Sequence, residues 1–350
     1  MKNSKFQGLQ VLRVFAAVLV LVTHSTLYVS ERLAPGFPLW SQGARGVDVF
    51  FVISGFVMVC CYARLSDAPG GWRVFMSHRI RRIVPMYWLA TTLKLAVLVA
   101  TPGLVVHVQK SHLRLSSVLF SYLFIPTRTM PDKIEPLLGV GWTLNLEMFF
   151  YLLFACALLL RIDVFKFVGV VLSLVAIASL WREPYWPAIS FYLNVRILGF
   201  FFGMLIAKAV ISGVKLRPRF ALPLLLAGAT ALLWPSHTGP HVFQVGIPAA
   251  AMIVLGAAFL EPYFVKLPKW LLFLADASYV TYLFHPLIAP AVPVIFALSH
   301  LANPRLSVLC SVCSCLLITS LIYRFVDAPI SKRLRGASRI KPSSPMVLVS

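Results

Sequence analysis

The residues of this sequence best equipped for chemistry stand inside its most apolar stretches. Arg13 and His24 share the first of them, residues 9–29. Eleven residues of helix turn through about 1100°, roughly 20° past three full turns, so both side chains point to one face about 16 Å apart. An ionisable group in hydrocarbon costs several kcal/mol and is a functional candidate by default. One helix thus offers a fixed cation near one end and a titratable imidazole near the other. The bland alternative is an arginine snorkelling to the interface. Asp48 opens the second apolar stretch, where a carboxylate also suits a helix N-terminus. Glu147 lies one-third into a later stretch, Gly141-Trp142-Thr143-Leu144-Asn145-Leu146-Glu147, and has no such structural excuse. A carboxylate within reach of an imidazole orients its tautomer and raises its basicity. His78-Arg79-Ile80-Arg81-Arg82 precedes a further stretch. Fixed guanidiniums suit phosphate bidentately, although basic residues at a membrane boundary also serve as anchors. His285, before Pro286, is a second buried histidine, as compatible with helix packing as with chemistry.

The elements that must position these groups are transmembrane helices. The chain is 59% hydrophobic and 12% charged over 350 residues, against about 45–50% and about 25% for soluble domains. Apolar stretches near the roughly 20 residues needed to cross a bilayer recur along its whole length. They fall at 9–29, 46–62, 84–102, 141–160, 164–181, 189–208, 220–235, 245–261, 273–298 and 305–326. Residues 115–126 are too short to span and read as re-entrant or interfacial. The fold class is therefore all-α and polytopic, with about ten transmembrane helices in one domain over residues 1–330. Residues 331–350 form a basic tail expected to be disordered. Lys and Arg outnumber Asp and Glu by 32 to 11. They concentrate in the segments that lie inside if the N-terminus is inside, which places both termini in the cytoplasm. That pattern accounts for the positive charge better than nucleic-acid binding does. The short basic start, Met1 to Lys5, leads into an apolar run carrying Arg13 and His24, which reads as an uncleaved first helix. The six cysteines lie within spans; Cys310, Cys313 and Cys315 lack partnering histidines and read as small apolar residues, so no metal is expected.

On these residues the chain resembles the acyltransferase 3 family of membrane acyltransferases. Arg13 and His24 match its Arg-x10-His pattern. Gly46-Val47-Asp48-Val49-Phe50-Phe51-Val52-Ile53-Ser54-Gly55-Phe56, Arg79-Ile80-Arg81-Arg82-Ile83-Val84-Pro85, and Trp142 through Glu147 with Phe150-Tyr151 follow in the family's order. Ser278-Tyr279, Tyr282-Leu283-Phe284-His285-Pro286 also fit. One departure is Arg324-Phe325-Val326-Asp327-Ala328-Pro329, where many members carry glutamate in place of Asp327. The wording around Glu147 is most similar to the branch that acetylates bacterial exopolysaccharides.

The resemblance implies an acyl-CoA donor, usually acetyl-CoA, in the cytoplasm, and a sugar hydroxyl acceptor on an exported or lipid-linked carbohydrate. It implies a multi-pass protein of the bacterial inner membrane. Arg13, Arg79 and Arg82 are then the residues expected to meet the phosphates of CoA. His24 is expected to be the general base, oriented by Glu147 or Asp48, with an acyl-histidine intermediate as the rival route. No P-loop, GxSxG elbow, HExxH or dinucleotide fingerprint occurs. Two other classes stand beside the enzyme: a transporter or flippase of lipid-linked glycans, which also needs buried charges along its path, and a structural subunit of an export complex. A transporter would consume no acetyl-CoA. A structural subunit would tolerate replacement of Arg13 and His24.

Overall fold

In hydrocarbon a backbone must satisfy its own N–H and C=O groups, so apolar runs of this length become helices. The structure, a computed structural model, describes residues 6–62, 65, 68–100, 114–130, 133–235, 242–264 and 267–336. Its helices are α1 (Gln7–Arg32), α2 (Gly46–Tyr62), α3 (Gly71–Ala100), α4 (Leu115–Tyr122), α5 (Trp142–Leu160), α6 (Val164–Ala178), α7 (Leu198–Ile211), α8 (Pro218–Leu233), α9 (Val242–Leu260), α10 (Lys269–Ile288), α11 (Ala291–Leu298), α12 (Pro304–Ile322) and α13 (Ala328–Gly336). The only sheet among the described residues is a small antiparallel hairpin of β1 (Arg128–Met130) and β2 (Lys133–Ile134). The protein is an all-α polytopic membrane protein.

Eight helical segments among the described residues are long and apolar enough to cross a bilayer, two fewer than the sequence suggests. The stretch 189–208 is broken. Pro187 leads into a tight turn at Ala188–Tyr192, and the Asn194 side chain accepts from the Arg196 N–H at 3.0 Å. Regular helix starts only at Leu198. The stretch 220–235 is helical for the 16 residues of α8, or about 24 Å, short of the roughly 30 Å of hydrocarbon. In the other direction, α3 starts at Gly71, well before the apolar stretch, so His78, Arg79 and Arg82 lie on the helix itself. Residues 115–122 form the eight-residue helix α4. Of the expected disordered tail, residues up to Gly336 are helical in α13; 337–350 and the basic start at 1–5 lie outside the described residues.

The chain divides into two units. The first combines Met1–Arg64 with Gly199–Ser350. Within it, Glu261 joins the two ends: its carboxylate accepts from the Gln7 and Gly8 N–H groups at 2.6 and 2.9 Å. These are orphan donors at the start of α1, and a carboxylate there also meets the favourable end of the helix dipole. Helices α2 and α7 cross at backbone contact. A Cβ on Gly55 would collide with the Phe200 carbonyl, and one on Gly203 with the Val52 carbonyl. Gly199 and Gly203 form a small-xxx-small spacing, which lets helices in a bilayer approach this closely. Leu21 of α1, Ala289 after α10 and Cys315 of α12 are fully buried together. Thr281 and Thr319 share a hydrogen bond of 2.9 Å between α10 and α12.

The second unit, Leu65–Leu198, packs α3 against α5. Phe75 stacks on Phe154 with ring centroids 4.8 Å apart. Tyr87 donates to the Ser121 carbonyl at 2.9 Å and stacks on Phe124. Ser121 Oγ in turn accepts from the Leu137 N–H at 2.8 Å. Tyr87 thereby fixes α4 and the strand-bearing segment against α3.

Candidate active site

α1 carries His24 half-buried on the side that meets α10, and α10 brings His285, 1% exposed, against it. Nδ1 of His24 lies 3.0 Å from the Val20 carbonyl and 3.2 Å from Nε2 of His285. Nδ1 of His285 faces the Thr281 carbonyl at 3.3 Å. A carbonyl oxygen only accepts, so both Nδ1 atoms carry the hydrogen and both Nε2 atoms the lone pair. The resulting chain is directional. His285 donates to Thr281, accepts from His24, and leaves Nε2 of His24 as the one unoccupied basic atom. If His24 takes a proton there, its Nδ1–H becomes a charge-assisted donor to His285 and Val20. The two rings are tilted by 50° with centroids 4.8 Å apart, and the Tyr28 ring lies beyond His24 at 6.2 Å.

The other expected residues of this unit take different positions. Arg13 is 7% exposed and donates to Gln10 Oε1 at 3.3 Å, one turn earlier on α1. Asp48, fully buried in the first turn of α2, lies where only glycine fits opposite: a Cβ on Gly246 of α9 would strike its carboxylate. One turn away, Arg45 Nη1 reaches the carbonyls of Ala231, Leu232 and Trp234 at 3.3, 2.8 and 3.2 Å. It closes the C-terminus of α8, whose last carbonyls have no helical partners.

Arg79, Arg82 and Glu147 belong to the second unit. Tyr151, one turn on from Glu147 along α5, donates to its carboxylate. The Arg79 guanidinium stands over the Tyr151 ring, 5.9 Å from the centroid. Arg79, Tyr151 and Glu147 therefore form one contiguous group linking α3 to α5. Arg79 and Glu147 lie on different helices. Tyr151 joins them because the long α3 carries Arg79 eight residues along its length. Arg82 sits on the same helix, half-buried. Among the described residues no group of three His, Cys, Asp or Glu side chains could hold a metal ion.

Residues 6–324, nearly the whole chain, match the family described as acyltransferase domain. The chain belongs to the acyltransferase 3 family. It is 34% identical over 316 residues to the exopolysaccharide production protein ExoZ of Rhizobium meliloti (strain 1021), covering 84% of this chain and 91% of that protein. It is 28% identical over 310 residues to nodulation protein 10 of Rhizobium leguminosarum bv. viciae, covering 79% of this chain and 81% of that one. No solved structure matches it. Membership in this acyltransferase family supports acyl transfer as the activity.

Two of these contacts escaped sequence reasoning. His285 was visible as a buried histidine, but 261 residues separate it from His24 and nothing local pairs them. Tyr151 carried a usable signal, since it stands four residues from Glu147 and so faces the same way on one helix.

Proposed function

We propose that this protein transfers an acetyl group from cytoplasmic acetyl-CoA to a hydroxyl of an exported or lipid-linked carbohydrate, such as an exopolysaccharide. It works in the bacterial inner membrane with both termini in the cytoplasm. The observation that carries the reading is the His24–His285 contact, which leaves Nε2 of His24 with its lone pair available in a chain of acyltransferase ancestry. His24 Nε2 removes the proton from the sugar hydroxyl as its oxygen attacks the thioester carbonyl. The carbon–sulfur bond breaks, and the CoA thiolate leaves with the proton that the imidazolium returns. General-base catalysis of this kind is worth about 10²–10⁴-fold.

Arg79, Arg82 and Arg13 supply the positive charge for the phosphates of CoA, for which planar guanidiniums are suited. Glu147, held by Tyr151, and Asp48 are the carboxylates assigned to the reaction. His285 takes the position beside His24 that a carboxylate occupies in many base-assisted sites. As a neutral acceptor it orients the ring without adding a negative charge.

The test is mass spectrometry of the surface glycan from a deletion strain, complemented with wild type or with His24→Ala at matched membrane abundance. Wild type should restore one acetyl mass increment per acetylated unit and His24→Ala should not. Full acetylation by the His24→Ala protein would sink the assignment of the base. Missing or internally trapped polymer with unchanged acetylation would instead mark the protein as a glycan transporter.

A further inference from the structure

The second unit carries a group of arginines that neither the base nor the CoA charge uses. α5 and α6 run antiparallel, joined by a short turn, so the start of α5 and the end of α6 lie at one end of this unit. The hairpin of β1 and β2 precedes α5, and residues 182–197 follow α6, so both gather at that end. There Arg128 Nη2 donates to the Trp186 carbonyl at 2.6 Å, and Arg182 Nε donates to Ser190 Oγ at 3.3 Å. Arg196 stands over the Trp142 ring at 5.3 Å. Arg128 and Arg182 thus both engage the 186–190 segment. Burial first, and then the charge of Arg128, hold Arg182 below its ordinary value.

Two like charges brought together cost free energy unless an anion offsets them. The protein itself supplies none for Arg182. Among the described residues no carboxylate pairs with it, and its terminal nitrogens donate to no protein acceptor. The bonds from Arg182 Nε to Ser190 and from Arg128 to the Trp186 carbonyl hold both side chains in place. In the orientation proposed above this end faces outward, where the bias of membrane proteins disfavours Lys and Arg. Aromatic residues alone would be explained by that interface; the paired arginines would not.

We infer that Arg128 and Arg182 form a binding subsite for an acidic group, a carboxylate or phosphate, on the carbohydrate acceptor. The ligand class is an anionic glycan, and the subsite would hold the chain while a hydroxyl elsewhere along it is acetylated. This rests on the acceptor side of the proposed function. Planar guanidiniums match either oxyanion bidentately, so the acid could belong to a sugar or to the pyrophosphate of a lipid carrier.

The test uses the full-length protein in phosphatidylcholine nanodiscs and reads binding by tryptophan fluorescence, since Trp186 adjoins the subsite. The probes are a glucuronate-containing tetrasaccharide, the same tetrasaccharide with its carboxyls reduced, and inorganic pyrophosphate. The acidic tetrasaccharide should bind about tenfold tighter than the reduced one. Arg182→Gln and Arg128→Gln should each remove most of that difference and leave the affinity of the reduced sugar unchanged. Displacement of the tetrasaccharide by low pyrophosphate in wild type but not in Arg182→Gln would support the subsite with the lipid carrier as its source. Equal affinity for acidic and reduced sugars, with no selective binding of pyrophosphate, would overturn it. So would charge-selective binding that survives both substitutions. Acetyl transfer from acetyl-CoA, measured on the same samples, separates the two readings. Transfer without charge-selective binding defeats the subsite alone, and charge-selective binding without any transfer defeats the acetyltransferase reading alone.

Discussion

His24 and His285 meet through Nδ1 of the first and Nε2 of the second, 3.2 Å apart. The contact sets the tautomer of His24, because His285 must accept there once its own Nδ1–H is engaged by Thr281. In the proposed reaction His285 acts as a positioning residue. His285→Ala should lower kcat about tenfold or more and leave the KM for acetyl-CoA nearly unchanged. His285→Gln, whose side-chain oxygen can accept from Nδ1, should recover part of that loss. Steady-state kinetics on the reconstituted protein check both. A loss shared equally by the alanine and glutamine variants would reduce His285 to a packing residue.

The bond from Tyr151 to Glu147 makes a second prediction. Tyr151→Phe and Glu147→Gln should each lower kcat, and the double variant should be little worse than the poorer single. The coupling in such a cycle should be about 1 kcal/mol, the scale for side chains in direct contact. Fully additive losses would mean that the two residues act independently.

Arg79 touches the Tyr151 ring, and the proposed function also assigns it to the phosphates of CoA. If its charge holds phosphate, Arg79→Gln should raise the KM for acetyl-CoA about tenfold, the loss of one charge-assisted hydrogen bond. Arg79→Lys should recover only part, since an ammonium cannot bond bidentately. A fall in kcat at constant KM would assign Arg79 to the support of Tyr151 and Glu147 instead.

Arg45 satisfies three carbonyls at the end of α8. Arg45→Met removes these bonds and should destabilise the protein by about 1–3 kcal/mol, the usual cost of leaving buried polar groups unpaired. Thermal unfolding in detergent reads this as a lower Tm. An unchanged Tm would show that the α8 carbonyls find other partners.

The sequence by itself determined the parts of this protein that depend on near neighbours. Its apolar runs dictated membrane helices, because hydrocarbon leaves a backbone no other way to satisfy its hydrogen bonds. The rarity of charge in those runs singled out Arg13, His24, Asp48 and Glu147, and the order of the motifs pointed to the family. Spacing along one helix would also have paired Tyr151 with Glu147. Where local signals conflicted, the reading of spans slipped: Asn194 and Pro187 interrupt a stretch that composition alone makes continuous. Only the tertiary structure decided that His285 lies against His24, that Glu261 caps α1, and that Gly55 and Gly203 let α2 and α7 touch. Helical periodicity fixes which face a side chain occupies. Which two faces meet is set by packing between segments far apart in the chain, and every apolar face in a membrane protein can meet lipid or any neighbour equally well.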